Sequence, residues 1–196
     1  MVSVYGPQEP SRRSDQQSND LGYLTCDVIN APYSGNERKK HKSSDKRAFD
    51  IENVVKQTFE TVVMLELYPK SEIYITINIL EADGSVICSV LNAITLALMD
   101  AGISMKGLIS SCSVGLVKDD IYYDVTQLET NSCSAYLPVA TRANSNDIVF
   151  MQLNNRIPAE KLPEVLAHAQ ESCKQIHDLL CEFIQLHLME TYKGES

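Results

Sequence analysis

Residues Lys70–Asp124 read KSEIYITINILEADGSVICSVLNAITLALMDAGISMKGLISSCSVGLVKDDIYYD. In the first part, Ile73, Ile75, Ile77 and Ile79 alternate with Glu72, Tyr74, Thr76 and Asn78. A period of two over eight residues predicts a half-buried strand. Asp83-Gly84-Ser85 is a turn signal. Val90, Leu91, Ile94, Ala97 and Leu98 then recur at helical spacing, so a helix is predicted over 85–101, with Gly102 as its C-terminal glycine. Small and apolar residues from Ile109 to Val117 predict a second strand. Its hairpin partner is Ile121–Val125, across Lys118-Asp119-Asp120. Strand, helix and hairpin in this order call for an α/β chain (α+β in stricter terms), with mixed sheets and packed helices.

Working outward toward the N-terminus, Phe49–Leu67 carries an amphipathic stripe of Ile51, Val54, Val55, Phe59, Val62, Val63 and Leu67 and predicts a long helix. Asn36–Arg47 is dominated by cations: Arg38, Lys39, Lys40, Lys42, Lys46 and Arg47. Such a run is either a solvated loop or a surface for nucleic-acid phosphates. Tyr23–Ile29 predicts a strand, Gln8–Asp20 a polar loop, and Val2–Tyr5 a short strand ended by Gly6-Pro7. Toward the C-terminus, Thr126–Ser134 reads as a polar connection, and Ala135–Ala140 and Ile148–Leu153 as strands. A final helix is predicted over 160–192, with Pro163 tolerated only in its first turn.

The bulk properties exclude several classes. The 196 residues suit one ordinary domain, so 1–196 is read as a single domain with 8–20 and 36–47 as loops. A formal charge of −9 is unlike a uniformly basic nucleic-acid binder, though it leaves room for one local basic patch. The sequence has no apolar run of membrane-spanning length and no signal-peptide core, and no membrane partner is expected. Cys26, Cys88, Cys112, Cys133, Cys173 and Cys181 form no Cys-x-x-Cys pair and are expected to be reduced and mostly buried. His168, His177 and His187 show no i, i+4 spacing among themselves, and neither a metal nor a cofactor is expected. Ser110, Ser111 and Ser113 lack a nucleophile-elbow context and read as small residues of a tight strand.

Four blocks, EADGS, NAITLALMDAGISMKGLI, SCSVGLV and YYDVTQLET, resemble in order the signature of the RNase PH family. The likeness runs from about Val2 to the C-terminus. It is strongest toward the exosome ring subunit that is the eukaryotic counterpart of the archaeal catalytic subunit. The resemblance implies the RNase PH fold, of the ribosomal-protein-S5-domain-2-like type. In that family the VYGP segment lies well inside the protein, after early strands and an arginine-rich R-x-D-G-R-R motif. Met1 is therefore expected to open an N-terminally truncated isoform, a fragment or a shortened gene model.

The family reaction is phosphorolysis of an RNA 3′ end, which needs cationic donors for the attacking phosphate and carboxylates near the reacting oxygens. Active members carry an arginine at the position of Ile87, on a helix N-terminus that favours anions. They carry one aspartate where Asp124 stands and a second where Thr130 stands. Isoleucine and threonine supply neither charge, so the resemblance implies a chain with no catalytic set and a vestigial Asp124. Glu129 is the one neighbouring substitute, and in an extended segment it would point away from the Thr130 side.

What the resemblance implies is a non-catalytic core subunit of the RNA exosome. It would scaffold a hexameric ring with other RNase PH-like subunits, beside RNA-binding cap subunits and a separate hydrolytic nuclease. Arg38, Lys39, Lys40, Lys42, Lys46 and Arg47 would contact RNA, and the chain would be found in the nucleus (nucleolus) and cytoplasm. Two rivals remain: an active phosphate-dependent 3′→5′ exoribonuclease, and a truncated form that does not assemble.

Overall fold

The structure, a computed structural model, describes residues 1–9, 21–35, 38, 46–118, 120–143, 145 and 147–194, with side chains to 190. The chain clusters into two compact units, Met1–Gly107 and Leu108–Ser196.

The first unit holds β1 (Val2–Gln8), β2 (Tyr23–Asn30), α1 (Lys46–Val62), a 3-10 turn at Leu65–Leu67, β3 (Glu72–Ile79) and α2 (Val86–Asp100). Its sheet has the order β1-β3-β2, so the isoleucine-rich strand is central. β1 pairs antiparallel to β3, with Val4 opposite Ile75, and β2 pairs parallel to it, with Cys26 opposite Ile75. The parallel pair needs a crossover, which α1 supplies. Ile73, Ile75 and Ile77 are almost fully buried, as are Val55, Phe59 and Val62 of α1 and Leu91, Ile94 and Leu98 of α2. The alternation of β3 is thus the alternation of a sheet with one helix-covered face.

β1 and α1 differ in their bounds from the sequence reading. β1 continues past Tyr5 to Gln8, with a register shift between those two residues. Gly6 makes this possible: it adopts φ +140°, and a Cβ there would lie 2.8 Å from the Glu72 carbonyl oxygen. The long helix stops at Val62 rather than Leu67. Val63 forms a bridge with Met105, the Met64 N–H donates to the Ser104 carbonyl at 3.0 Å, and the Lys106 N–H donates to Val62 at 2.8 Å. Backbone groups that would have continued the helix are taken by this pairing, and Leu67 is left exposed. At the other end the helix starts at Lys46, so Lys46 and Arg47 belong to its first turn and not to a loop.

The second unit holds β4 (Ile109–Val117), β5 (Asp120–Tyr123), α3 (Gln127–Ser132), β6 (Ala135–Arg142), β7 (Asp147–Met151) and α4 (Leu162–Gly194). The sheet is antiparallel throughout, in the order β5-β4-β6-β7, and the first turns of α4 pack on β4 and β6. Val114, Leu116, Leu137, Val139, Val165 and Ala169 form its core. Gly115 matters for space: a Cβ there would meet Cys133 Sγ and Val125 Cγ1, each at 2.8 Å.

The largest departure is at 126–134, read from sequence as an irregular connection. It contains α3, started by a capping box. The Glu129 N–H donates to Thr126 Oγ1 at 3.3 Å, and Glu129 Oε2 accepts from the Thr126 N–H at 2.8 Å. The signal is present in the sequence as Thr126-x-x-Glu129, but the apolar run that would normally follow it is missing.

Candidate functional site

The sequence points to three groups of residues. Of the basic run, Arg38 is exposed, and Lys46 and Arg47 are exposed on the first turn of α1. Lys39, Lys40 and Lys42 lie outside the described residues. No acidic residue occupies that first turn. Two cations at the positive end of a helix dipole work against the helix itself. They also add to a local field that attracts an anion, because N–H groups and side-chain charges there carry the same sign.

The second group is the entry to α2. Gly84 (φ +100°) and Ser85 (φ +49°) both take left-handed backbone, which brings the chain sharply into the helix. Ser85 is buried, and its side chain makes no capping bond to the helix, although its carbonyl accepts the Ser89 hydroxyl at 3.2 Å. Ile87 sits in the first helical turn, half-buried. It is a hydrocarbon where the family resemblance calls for an arginine, so this helix start has backbone N–H groups but no cation at that position.

The third group lies in the second unit, after β5. Asp124 follows the strand directly in left-handed backbone (φ +50°), with its side chain exposed and its N–H donating to the Ser113 carbonyl at 2.9 Å. This turn ends β5 at Tyr123, two residues short of the predicted end. Val125 is buried. Because 127–132 is helical, Glu129 and Thr130 are about 100° apart around α3 and do not point oppositely. Both are engaged locally. Glu129 Oε2 accepts from the backbone N–H of Thr126 at 2.8 Å and from its hydroxyl at 3.0 Å, and these bonds hold the carboxyl below its ordinary range. The Thr130 hydroxyl donates to the Thr126 carbonyl at 2.8 Å. Asp124 is thus the carboxylate at this turn that the α3 cap does not occupy. Ile87 belongs to the first unit, and Asp124 and Thr130 belong to the second.

The remaining polar residues have local roles. Ser110, Ser111 and Ser113 are buried in β4, and Ser111 Oγ donates to the Val139 carbonyl at 2.9 Å, a contact that joins strands. On α4, His168 Nδ1 lies 2.7 Å from the Tyr123 hydroxyl, a long-range contact that sequence spacing could not reveal. His177 Nε2 lies 3.4 Å from Cys181 Sγ. Among the described residues no group of three or more His, Cys, Asp or Glu side chains could hold a metal ion. None of the six cysteines is in a disulfide. Burial, then the charges of Glu52 and Asp27, pushes Cys26 up to about 12, and burial pushes Cys112 up to about 11. Among the described residues no helix is long and apolar enough to cross a membrane.

Two units, each a sheet with helices packed on it, are the architecture of an RNase PH-type fold. The chain belongs to the 3′ exoribonuclease family, whose domain 1 matches residues 1–104 and whose domain 2 matches residues 107–172. It is similar to the exosome complex component RRP41 homolog of Arabidopsis thaliana, with 34% identity over 94% of this chain and 76% of that protein. The exosome complex component RRP41 of Homo sapiens is 30% identical over 97% of this chain and 78% of its own length. The archaeal exosome complex component Rrp41 of Nitrosopumilus maritimus is 32% identical over 91% and 72%. Among solved structures, rice (Oryza sativa) Rrp46 superposes with a TM-score of 0.82 over 94% of this chain and 82% of that one. At 17% identity this likeness speaks for the fold alone.

Proposed function

We propose that this chain is a core subunit of an RNA exosome and that it scaffolds the ring and contacts RNA without performing phosphorolysis. The observation that carries the reading is its similarity, along 94% of its length for the plant protein and 97% for the human one, to proteins named as exosome complex components. Its partners would be other RNase PH-like subunits, with RNA-binding cap subunits and a separate hydrolytic nuclease acting on the threaded RNA. Arg38, Lys46 and Arg47, continued through Lys39, Lys40 and Lys42, would hold RNA phosphates, each contact gaining from counterion release. The nucleus (nucleolus) and the cytoplasm are its proposed locations.

The non-catalytic part rests on the residues present. Ile87 brings no charge to an attacking phosphate, Thr130 brings no carboxylate, and Glu129 is held in the α3 cap. Losing one preorganised charge from such a site typically lowers the rate by about two to three orders of magnitude. Co-expression with the other ring subunits, followed by a native mass and a phosphate-dependent RNA assay, tests both halves. A ring containing this chain, with no nucleoside diphosphate release that depends on it, is the expected result. Failure to enter any ring favours the non-assembling form. Release abolished by Asp124→Ala favours the active enzyme.

A further inference from the structure

Along α4, Val165, Ala169, Cys173, His177 and Cys181 follow one another at steps of four and form one row of the helix. The first three are buried, and Cys173 Sγ donates to the Val139 carbonyl at 3.7 Å. His177 and Cys181 continue the row past the buried positions and are half-buried, shielded in part from water yet open to a small ion. The polar contact that each makes is with the other: Cys181 Sγ lies 3.4 Å from His177 Nε2 and 3.9 Å from Nδ1. Spacing among the histidines alone does not reveal this pair, because the partner four residues on is a cysteine.

Imidazole and thiolate are the side chains that zinc prefers. A zinc ion about 2.3 Å from sulfur and about 2.0–2.1 Å from nitrogen, with a tetrahedral angle between them, holds its two donors about 3.5 Å apart. The 3.4 Å between Cys181 Sγ and His177 Nε2 already matches that separation. The surrounding charge favours a cation. Asp178 and Glu182 each directly follow a donor, and the nearest cation of the segment, Lys174, lies 3.9 Å from the Glu171 carboxylate. We propose that His177 and Cys181 chelate a divalent ion of borderline softness, zinc above all, through Nε2 and Sγ. Two protein donors leave the other coordination positions to water, so the site is open and weaker than a four-ligand one. Binding releases the thiol proton to solvent and ties two successive turns of α4 together beyond Cys173. The site stands apart from the ring reading and from RNA.

The test uses the whole chain, reduced and kept free of oxygen, with Co²⁺ as the spectroscopic probe and Zn²⁺ as competitor. One Co²⁺ per chain is expected to bring up a thiolate-to-cobalt charge-transfer band, with a dissociation constant of about 1–100 µM. Zn²⁺ should abolish the band, and a large excess of Mg²⁺, which prefers oxygen donors, should not. Cys181→Ser should remove it. His177→Gln should weaken binding by about tenfold or more, the least that loss of even an indirect contact costs at such sites. Cys26→Ser, at the other half-buried thiol, should change neither. A second measurement needs no variant to fold. In the wild-type chain, free Zn²⁺ at about ten times its dissociation constant should slow alkylation of Cys181 about tenfold, read by peptide mass mapping. A band that survives Cys181→Ser, a band lost with Cys26→Ser, unchanged binding by His177→Gln or no protection of Cys181 would each overturn the proposal. So would cobalt binding without a thiolate band, which would mean adventitious carboxylate or histidine binding only.

Discussion

Gly115→Ala should destabilise the second unit for a reason that can be worked from distances. Gly115 sits in the middle of β4 and does not use left-handed backbone, so the substitution strains no dihedral angle. The cost is space. A Cβ would come to rest 2.8 Å from Cys133 Sγ and 2.8 Å from Val125 Cγ1, nearly an ångström inside ordinary carbon contact. Neither neighbour can easily retreat, since Val125 is 2% exposed and Cys133 7%. Overpacking of this kind costs about 1–3 kcal/mol. In a chain of this size that lowers the melting temperature by about 2–4 °C per kcal/mol. Urea unfolding of Gly115→Ala against wild type measures it, with Gly35→Ala as the control, because a Cβ at Gly35 meets nothing within 4 Å and should change stability by less than about 0.5 kcal/mol. Adding Cys133→Ala removes one of the two clashes, so the double variant should lose about 0.5–2 kcal/mol less than the sum of the singles. A Gly115→Ala protein as stable as wild type, or strict additivity with Cys133→Ala, would refute the reasoning about this contact.

Other consequences can be checked separately. Phe59→Ala empties a fully buried position of α1 and should cost about 3–5 kcal/mol in the same urea experiment, with Phe59→Leu costing clearly less. The α3 cap should respond to pH. The folded Glu129 carboxyl titrates below its ordinary 4.5, so its stabilisation is complete above that value and fades as the pH falls through the lowered one. Amide protection across 127–132, taken relative to the intrinsic exchange rate at each pH, should therefore fall in acid, and Glu129→Gln should flatten that dependence; an unchanged profile in the variant would contradict the capping geometry. With its thiol pushed up to about 12, Cys26 should be almost wholly protonated at pH 8, with a thiolate fraction of about 10⁻⁴. Alkylation of the native chain followed by peptide mass mapping should leave Cys26 and the buried Cys112 unmodified, and prior unfolding in urea should expose both.

The elements easiest to read from the sequence were those whose period matched one covered face. β3 showed its four isoleucines because helices cover only that side of the sheet, and α2 showed its stripe for the same reason. β4 was legible as a run of small and apolar residues and is buried along almost its whole length. The errors fall where a local backbone partner decided the outcome. α1 ends early because residues 104–106 pair with its last carbonyl and the residues beyond, a contact about forty residues away in sequence, which no helical period records. α3 was missed because its stability lies in the Thr126–Glu129 cap and not in an apolar face. That miss changes the chemistry of the candidate site, since Glu129 becomes a capping residue and not a side chain turned away from Thr130. The Tyr123–His168 contact joins a strand to a helix and had no sequence signal. The long apolar stripe of α4 was visible, but the sequence could not say that its fully buried positions, Val165, Ala169 and Cys173, all lie in its early turns.

The most direct test of the account is a phosphorolysis assay on the assembled ring. The chain is co-purified with the other ring subunits, given RNA and inorganic phosphate, and nucleoside diphosphate release is followed for wild type, Asp124→Ala and Ile87→Arg/Thr130→Asp. The account predicts a ring whose release is the same for wild type and Asp124→Ala. Release that is present in wild type and lost in Asp124→Ala would contradict it and make this chain an enzyme.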